Sequence, residues 1–223
     1  MDSTTWTLAD AVIRHISVSD MDNNVYLITC RRTGEQLLID AADDYPAIAA
    51  LLTAGAQDVD DDVTATGARA SLALVVTTHS HWDHVRALAA VVAATGAPTA
   101  AGRKDAPAIE VPTDTLLDDG SVLDLDGVRL DVIGLRGHTP GSVALLLRDP
   151  DGPDHLFTGD SLFPGGVGNT QHDAKRFSQL YADVVARVFD PLDDDTIVHP
   201  GHGAGTTLGA ERPSLGEWRE RGW

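Results

Sequence analysis

Six residues that closely follow a short apolar run constrain this chain more than any other part of its sequence. Residues 79–84 read His-Ser-His-Trp-Asp-His, and residues 72–76 before them are all apolar. Neutral imidazole binds zinc, iron and similar divalent ions, and a carboxylate adds charge to such a ligand set. A polar loop in which histidines gather by chance is the alternative, since the chain has nine histidines. The pattern favours a metal site at the end of a strand.

The apolar pattern around this cluster predicts a fold with two similar halves. Residues 72–76 are short, continuously apolar and partly β-branched, as expected of a strand buried on both faces. The remaining elements are predicted from periodicity and turn residues. They are strands at 11–17, 24–30, 36–39, 121–125, 128–133, 143–147, 156–158 and 196–198, and helices at 45–54, 85–94 and 174–189. Each half is a β-meander followed by a helix, which predicts an α+β fold with two sheets face to face and helices outside.

Three later polar residues also lie just after predicted strands. His138 stands in a Gly-His-Thr-Pro-Gly-Ser turn, Asp160 ends an apolar strand, and His202 follows the last predicted strand. Two of them have simpler interpretations, His138 as a loop histidine and Asp160 as a turn-capping carboxylate. An acid at the end of an apolar strand is costly, however, unless it is capped, paired or metal-bound. Together, four strand ends supply seven candidate ligands: His79, His81, Asp83, His84, His138, Asp160 and His202.

The charge and cysteine content limit the partners and the compartment. Sixteen Lys and Arg against 34 Asp and Glu give a formal charge of -18. This charge opposes nucleic acid and anionic membrane surfaces as partners. Cys30 is the one cysteine, so no intrachain disulfide forms, which fits a reducing compartment. The first residues lack the pattern of a secretory signal, and no stretch has 18 uninterrupted apolar residues. We expect a cytoplasmic protein.

In order and spacing, the seven candidate ligands resemble those of the metallo-β-lactamase superfamily, and their separations are similar to those of its glyoxalase II and lactonase branches. The resemblance implies an αββα four-layer sandwich with the metal site at one edge. It also implies a ligand assignment: His79, His81 and His138 on a first metal, Asp83, His84 and His202 on a second, and Asp160 bridging them.

This resemblance implies a hydrolase with two zinc ions. Two such cations about 4 Å apart can lower the pKa of a shared water towards about 7 and so supply hydroxide. We expect that hydroxide to attack a thioester, ester or lactone, and Asp83 to orient it as the catalytic residue. The expected partner is a small acyl compound. Iron is the other metal considered, in an oxidoreductase similar to the persulfide dioxygenases, which use one iron held by the first-site histidines and the aspartate. A non-catalytic metal-binding module is the third hypothesis.

Around the cluster, the sequence suggests where the domain ends and what contacts the substrate. Usual glyoxalase II members carry a C-terminal helical extension that helps bind glutathione, and only residues 203–223 follow His202 here. We therefore expect one domain over 1–223 without that extension.

The glycine-rich loop at 163–172 follows Asp160, so Asn169 and His172 are predicted substrate contacts. Trp82 is interpreted as a packing residue at the base of its loop.

Overall fold

A computed structural model describes residues 4–60 and 70–222. Its strands are β1 Thr4–Thr7, β2 Ala11–Val18, β3 Asn23–Cys30, β4 Glu35–Ile39, β5 Ser71–Thr77, β6 Thr99–Gly102, β7 Thr115–Leu117, β8 Val122–Leu125, β9 Val128–Gly134, β10 Val143–Leu147, β11 His155–Gly159, β12 Leu162–Phe163, β13 Gly166–Val167, β14 Ile197–Pro200 and β15 Thr206–Thr207. Its α-helices are α1 Tyr45–Gly55, α2 Leu88–Thr95, α3 Ala174–Val184, α4 Leu208–Glu211 and α5 Leu215–Arg221. None of the helices in these two ranges has the length and apolar character needed to cross a bilayer.

Two sheets contain most of the strands. The first has the order β1-β2-β3-β4-β5-β6-β7, and the second has the order β15-β14-β11-β10-β9-β8. Strands β1 to β4 pair antiparallel, whereas β4 to β7 pair parallel. In the second sheet β11 and β14 are the parallel pair. Parallel neighbours need crossover connections, and α1, α2 and α3 lie in three of them.

Strand β10 packs against a different layer on each of its two faces. Val143, Leu145 and Leu147 belong to the apolar cluster between the sheets, and Ala144 and Leu146 belong to the cluster under α3. Successive side chains of a strand point to opposite faces, so a continuously apolar strand buries both of them. A third cluster packs α1 and α2 on the outer face of the first sheet. The layers are therefore helix, sheet, sheet and helix, which confirms the predicted αββα sandwich.

Two predicted elements differ from the structure in detail. The start of β5 is only half-buried, and full burial begins at Val75; its pairing with β4 is interrupted by a register shift between Gln36 and Leu37. The helix predicted at 85–94 begins later, at Leu88. The amides of Arg86 and Ala87 donate to the carbonyls of Ala42 and Ala41, which lie between β4 and α1, instead of to carbonyls of the helix.

The carboxyl ends of several strands meet at one edge of the sandwich, where backbone hydrogen bonds join the two sheets. The amide of Val143, in the second sheet, donates to the carbonyl of Thr78 after β5, at 2.9 Å. Asn24 in β3 donates to the carbonyl of Gly201 after β14, at 2.8 Å. The loop that follows β5 is therefore held against the second sheet, and the loop that follows β14 is held against the first.

A pair of stacked histidines lies inside the sandwich, on the neighbouring strands β11 and β14. The rings of His155 and His199 are 5.1 Å apart and almost parallel, and a hydrogen bond of 2.8 Å joins Nδ1 of His155 to Nε2 of His199. Rings of Trp6, Tyr26 and Phe157 surround His199. Burial, with smaller contributions from His155 and His15, lowers the pKa of His199 to about 3. Both histidines are structural residues.

We expect His199 to make the protein sensitive to acid. Because His199 takes up a proton near pH 6.5 when unfolded but near pH 3 when folded, its contribution to stability is present above 6.5 and is lost as the pH falls towards 3. The free energy of unfolding should drop by roughly 1 kcal/mol per pH unit in this range. Urea unfolding of His199→Gln between pH 7 and 4.5 should show a shallower decline. The exposed His172→Gln variant serves as control, and parallel curves for all three proteins would contradict the assignment.

Candidate metal centre

The seven predicted ligands all come from loops at the joined edge of the two sheets. His79 and His81 follow β5, and Asp83 and His84 lie in a short 3-10 turn directly after them. The other three follow strands of the second sheet: His138 after β9, Asp160 after β11 and His202 after β14. The structure brings these seven residues together in two groups, each compact enough for a single ion.

The first group consists of His79, His81, His138 and Asp160, with one potential ligand atom of each within 4.8 Å of the others. Nδ1 of His81 lies 3.1 Å from Nε2 of His79 and 2.9 Å from Nε2 of His138. Two nitrogens bound to one tetrahedral zinc would be about 3.3 Å apart, given Zn–N bonds of about 2.05 Å. The three imidazoles therefore already point at a common position.

The second group consists of Asp83, His84 and His202. Nε2 of His84 lies 3.1 Å from Nε2 of His202, and Oδ2 of Asp83 lies 3.2 Å from the same His202 nitrogen. His84 is fully buried and Asp83 is buried, whereas His202 is half-buried. Three protein ligands with an accessible side fit a site that leaves room for water or substrate.

Asp160 lies between the groups. Its Oδ2 is 3.5 Å from Nε2 of His138 and 3.5 Å from Nε2 of His202. Its Oδ1 is 3.5 Å from Nε2 of His84 and, although buried, has no hydrogen-bond partner among the described residues. A buried carboxylate oxygen without a donor is costly. A cation at each group would satisfy both oxygens, so the donor set fits a pair of divalent metal ions.

The remaining ring nitrogens of four histidines are held by hydrogen bonds. Nδ1 of His138 donates to the carbonyl of Asn169, and Nδ1 of His202 donates to that of Met21, both at 2.8 Å. Nδ1 of His84 donates to Asp40 at 3.0 Å, and Nδ1 of His79 lies 3.1 Å from Oγ1 of Thr78. Such outer partners fix the tautomer, so that the other nitrogen presents its lone pair.

Asp40 is a positioning residue that the sequence interpretation missed. One carboxylate oxygen accepts from the Thr78 amide at 2.7 Å, and the other accepts from Oγ1 of Thr78 and Nδ1 of His84. Since Thr78 also contacts His79, this single buried acid orients a ligand of each group. It directly follows β4 and has a positive φ of 57°, but nothing in its local sequence marks it out.

Two further residues hold the site without being predicted ligands. Asp105, which is buried after β6, accepts hydrogen bonds from the Ser80 amide, from Oγ1 of Thr139 and from the Gly141 amide at 2.6 to 2.8 Å. It therefore joins the loop of His79 and His81 to the loop of His138. Asn23, in β3, donates to Oδ2 of Asp83 at 3.0 Å and so orients that carboxylate.

The electrostatics of the site favour a bound cation. Burial, with the neighbouring His84, lowers the pKa of His79, and burial also lowers the pKa of His138, so both rings are neutral. Burial alone would lower the pKa of His202, but Asp160, the Met21 carbonyl and Asp83 outweigh it and raise the pKa to about 9. His202 therefore carries a proton where a metal would bind. Metal binding must release it, which makes the affinity of the second group depend on pH.

The structure shows the surroundings of three residues near the site for which the sequence predicts a role. The side chain of Asn169 accepts from the Gln171 amide, and only its backbone carbonyl contacts a predicted ligand, namely His138. His172 is exposed. A substrate contact by either side chain stays a prediction.

The interpretation of Trp82 as a packing residue is wrong. The ring is 63% exposed, because its turn points out of the sandwich, and Arg86 stacks over it at 4.1 Å.

Known proteins resemble this chain in sequence and in structure. Residues 18–202 match the sequence profile of the family described as "Metallo-beta-lactamase superfamily". A hydroxyacylglutathione hydrolase from Polaromonas sp. is 35% identical over 178 residues, covering 79% of this chain and 60% of that protein, so the match spans less than two thirds of its length. Hydroxyacylglutathione hydrolase GloC from Haemophilus influenzae is 31% identical over 162 residues, covering 65% of this chain and 74% of that protein. The crystal structure of ETHE1 from Myxococcus xanthus has a TM-score of 0.74 at 26% identity, covering 93% of this chain and 84% of that one.

Proposed function

Because the chain belongs to the metallo-β-lactamase superfamily, we propose that it is a metal-dependent hydrolase that holds two zinc ions and cleaves a thioester, an ester or a lactone. The position of Asp160 carries the proposal, since one oxygen faces a histidine of the second group and the other faces histidines of both. The name hydroxyacylglutathione hydrolase of two relatives favours an acyl compound of a thiol as substrate.

Metal ions held by the two ligand groups would supply the chemistry of a two-metal hydrolase, since they would lower the pKa of water and polarise the substrate carbonyl. The protein's part is to orient the imidazoles through Asp40 and the backbone acceptors, while burial keeps His79 and His138 neutral. Asp83, held by Asn23, is proposed to orient the attacking water. No side-chain nucleophile is required, and Cys30 is fully buried in the cluster between the sheets.

A second candidate function is that of an oxidoreductase with a single iron. The observation in its favour is that the first group already gathers three imidazoles and a carboxylate without help from the second. Imidazole and carboxylate suit iron as well as zinc. In such an enzyme Asp83 and His84 would contribute little to the reaction.

Metal content and an Asp83 variant together test the proposal. Protein purified without added metal should contain about two zinc per chain and hydrolyse thioesters, whereas about one iron without hydrolysis would support the oxidoreductase. Asp83→Ala should lower kcat/KM at least about 100-fold, since the second group keeps only its two histidines beside the shared Asp160 and the water loses its orienting carboxylate. The exposed Asp190→Ala is the matched control. An Asp83→Ala enzyme with unchanged hydrolysis would refute the two-metal proposal.

A further inference from the structure

A cleft of about 620 Å³ opens directly beside the first ligand group. Two of that group's ligands, His81 and His138, form part of its wall. Four cationic side chains also line it: Lys104 after β6, Arg136 after β9, and Lys175 and Arg176 in the first turn of α3. The cleft is thus cationic and shares two residues with the candidate metal centre.

This gathering of positive charge is unusual for a chain with a formal charge of -18. Lys104 and Lys175 are the two lysines of the whole sequence. Most arginines of the described ranges have a carboxylate within 4.0 Å. Within residues 4–60 and 70–222, the cations without one are Lys104, Lys175, Arg176 and Arg219. Three of these four line the cleft.

The two arginines build the wall of the cleft. Arg136 pairs with Asp183 of α3, its Nε and Nη2 donating to the two carboxylate oxygens at 2.9 and 2.7 Å. Arg176 donates to the carbonyls of Gly137 and His138 and to the side chain of Gln171. Both arginines therefore fasten the His138 loop to α3. Arg176 adds a charge that no carboxylate balances at short range.

Neither lysine of the cleft forms a salt bridge with a carboxylate of the described residues. Lys104 and Lys175 are exposed. Two acids close to these cations in sequence already accept hydrogen bonds: Asp105 accepts from three donors of the site loops, and Asp173 caps α3 by accepting from the amides of Lys175 and Arg176. The Asp173 carboxylate also attracts the charges of Lys175 and Arg176 at longer range. An ammonium group on a flexible stem binds carboxylate or phosphate as a point charge. The cleft therefore offers two mobile cations over a rigid cationic wall.

We propose that this cleft binds an anionic part, a carboxylate or a phosphate, of the substrate, with Lys104 and Lys175 as the contacts that determine specificity. The inference rests on the proposed hydrolase function, and it narrows the substrate to an acyl compound that carries an anionic group, for which thioesters serve as probes. Because His81 and His138 line the same cleft as the two lysines, a substrate held there by its anionic group lies beside the first ligand group. Neutral thioesters of the same acyl group lack this anchor.

The test compares three acetyl thioesters on the zinc-loaded protein: those of N-acetylcysteamine, which is uncharged, glutathione, which carries carboxylates, and coenzyme A, which carries phosphates. The wild type should have its lowest KM for one of the two anionic thioesters, and this identifies the anion. In the double variant Lys104→Gln, Lys175→Gln, that KM should rise about three- to tenfold at low salt, and less at 0.5 M salt. Arg219→Gln removes an equally unpaired charge outside the cleft and should keep wild-type constants.

Binding of S-methylglutathione and S-methyl-coenzyme A, measured by calorimetry, provides a readout that needs no hydrolysis. The double variant should bind the preferred thioether about three- to tenfold more weakly, and Arg219→Gln should bind it like the wild type. If no thioester is cleaved but this loss is seen, the anion site stands and the proposed thioester hydrolysis fails. If thioesters are cleaved but the double variant matches the wild type, or Arg219→Gln has the same effect, the anion site is refuted.

Discussion

Asp160→Ala is expected to reduce hydrolysis roughly 1,000-fold, since Asp160 is the residue of the site whose two oxygens face both groups. Its loss leaves three imidazoles in the first group and removes the link to the second. The side chain belongs to none of the three apolar clusters, so the fold should persist. The measurements are kcat/KM for a thioester, zinc per chain, and the circular dichroism spectrum with its melting temperature.

The conservative variant Asp160→Asn separates ligation from charge. Its amide keeps one oxygen for one group but has no negative charge to share between two cations, so we expect intermediate zinc content and activity. Asp190→Ala again serves as the control for loss of a carboxylate. Wild-type turnover in Asp160→Ala would show that the residue does not bridge metals, and unfolding of the purified variant would show that its role is structural.

Gly201→Ala is expected to disable the site by steric conflict alone. A Cβ at Gly201 would lie 2.2 Å from Oδ1 of Asp160 and 2.8 Å from Cε1 of His84, closer than real side chains allow. The backbone there cannot retreat easily, because the Gly201 amide donates to Gly159 and its carbonyl accepts from Asn24, both at 2.8 Å. The Asp160 carboxylate must therefore move away from the metal positions. We expect hydrolysis to fall at least about 100-fold and zinc content to drop.

Gly216→Ala is the matched control for this substitution. It adds the same methyl group within α5, where a Cβ at Gly216 meets no atom within 4 Å. Because alanine loses less backbone freedom than glycine on entering a helix, this variant should be fully active and equally or slightly more stable. If Gly201→Ala also keeps its zinc and activity, Asp160 is not confined as the structure indicates.

The layered fold and the identities of the seven ligand candidates could be predicted because their signals are local. Continuous apolar strands such as β10 alternate between two buried faces, and this period is visible in the residues themselves. The cluster at 79–84 concentrates ligand chemistry in six residues, and His138, Asp160 and His202 each follow an apolar strand. For His138 and Asp160 the local signal is weaker, and the metal-ligand interpretation depends on the other strand ends that carry the same residue types.

The tertiary structure alone decided which distant residues meet. Asp40 and Asp105 are two of 34 acidic residues, and only the packing of loops from both sheets makes each of them join separate segments of the site. The cationic cleft has the same origin, since Lys104, Arg136 and Lys175 come from three segments that the sheet order and α3 bring together. Side-chain chemistry and strand periodicity are properties of short stretches of chain. Proximity across the sandwich is a property of strand order and loop packing, which no short stretch contains.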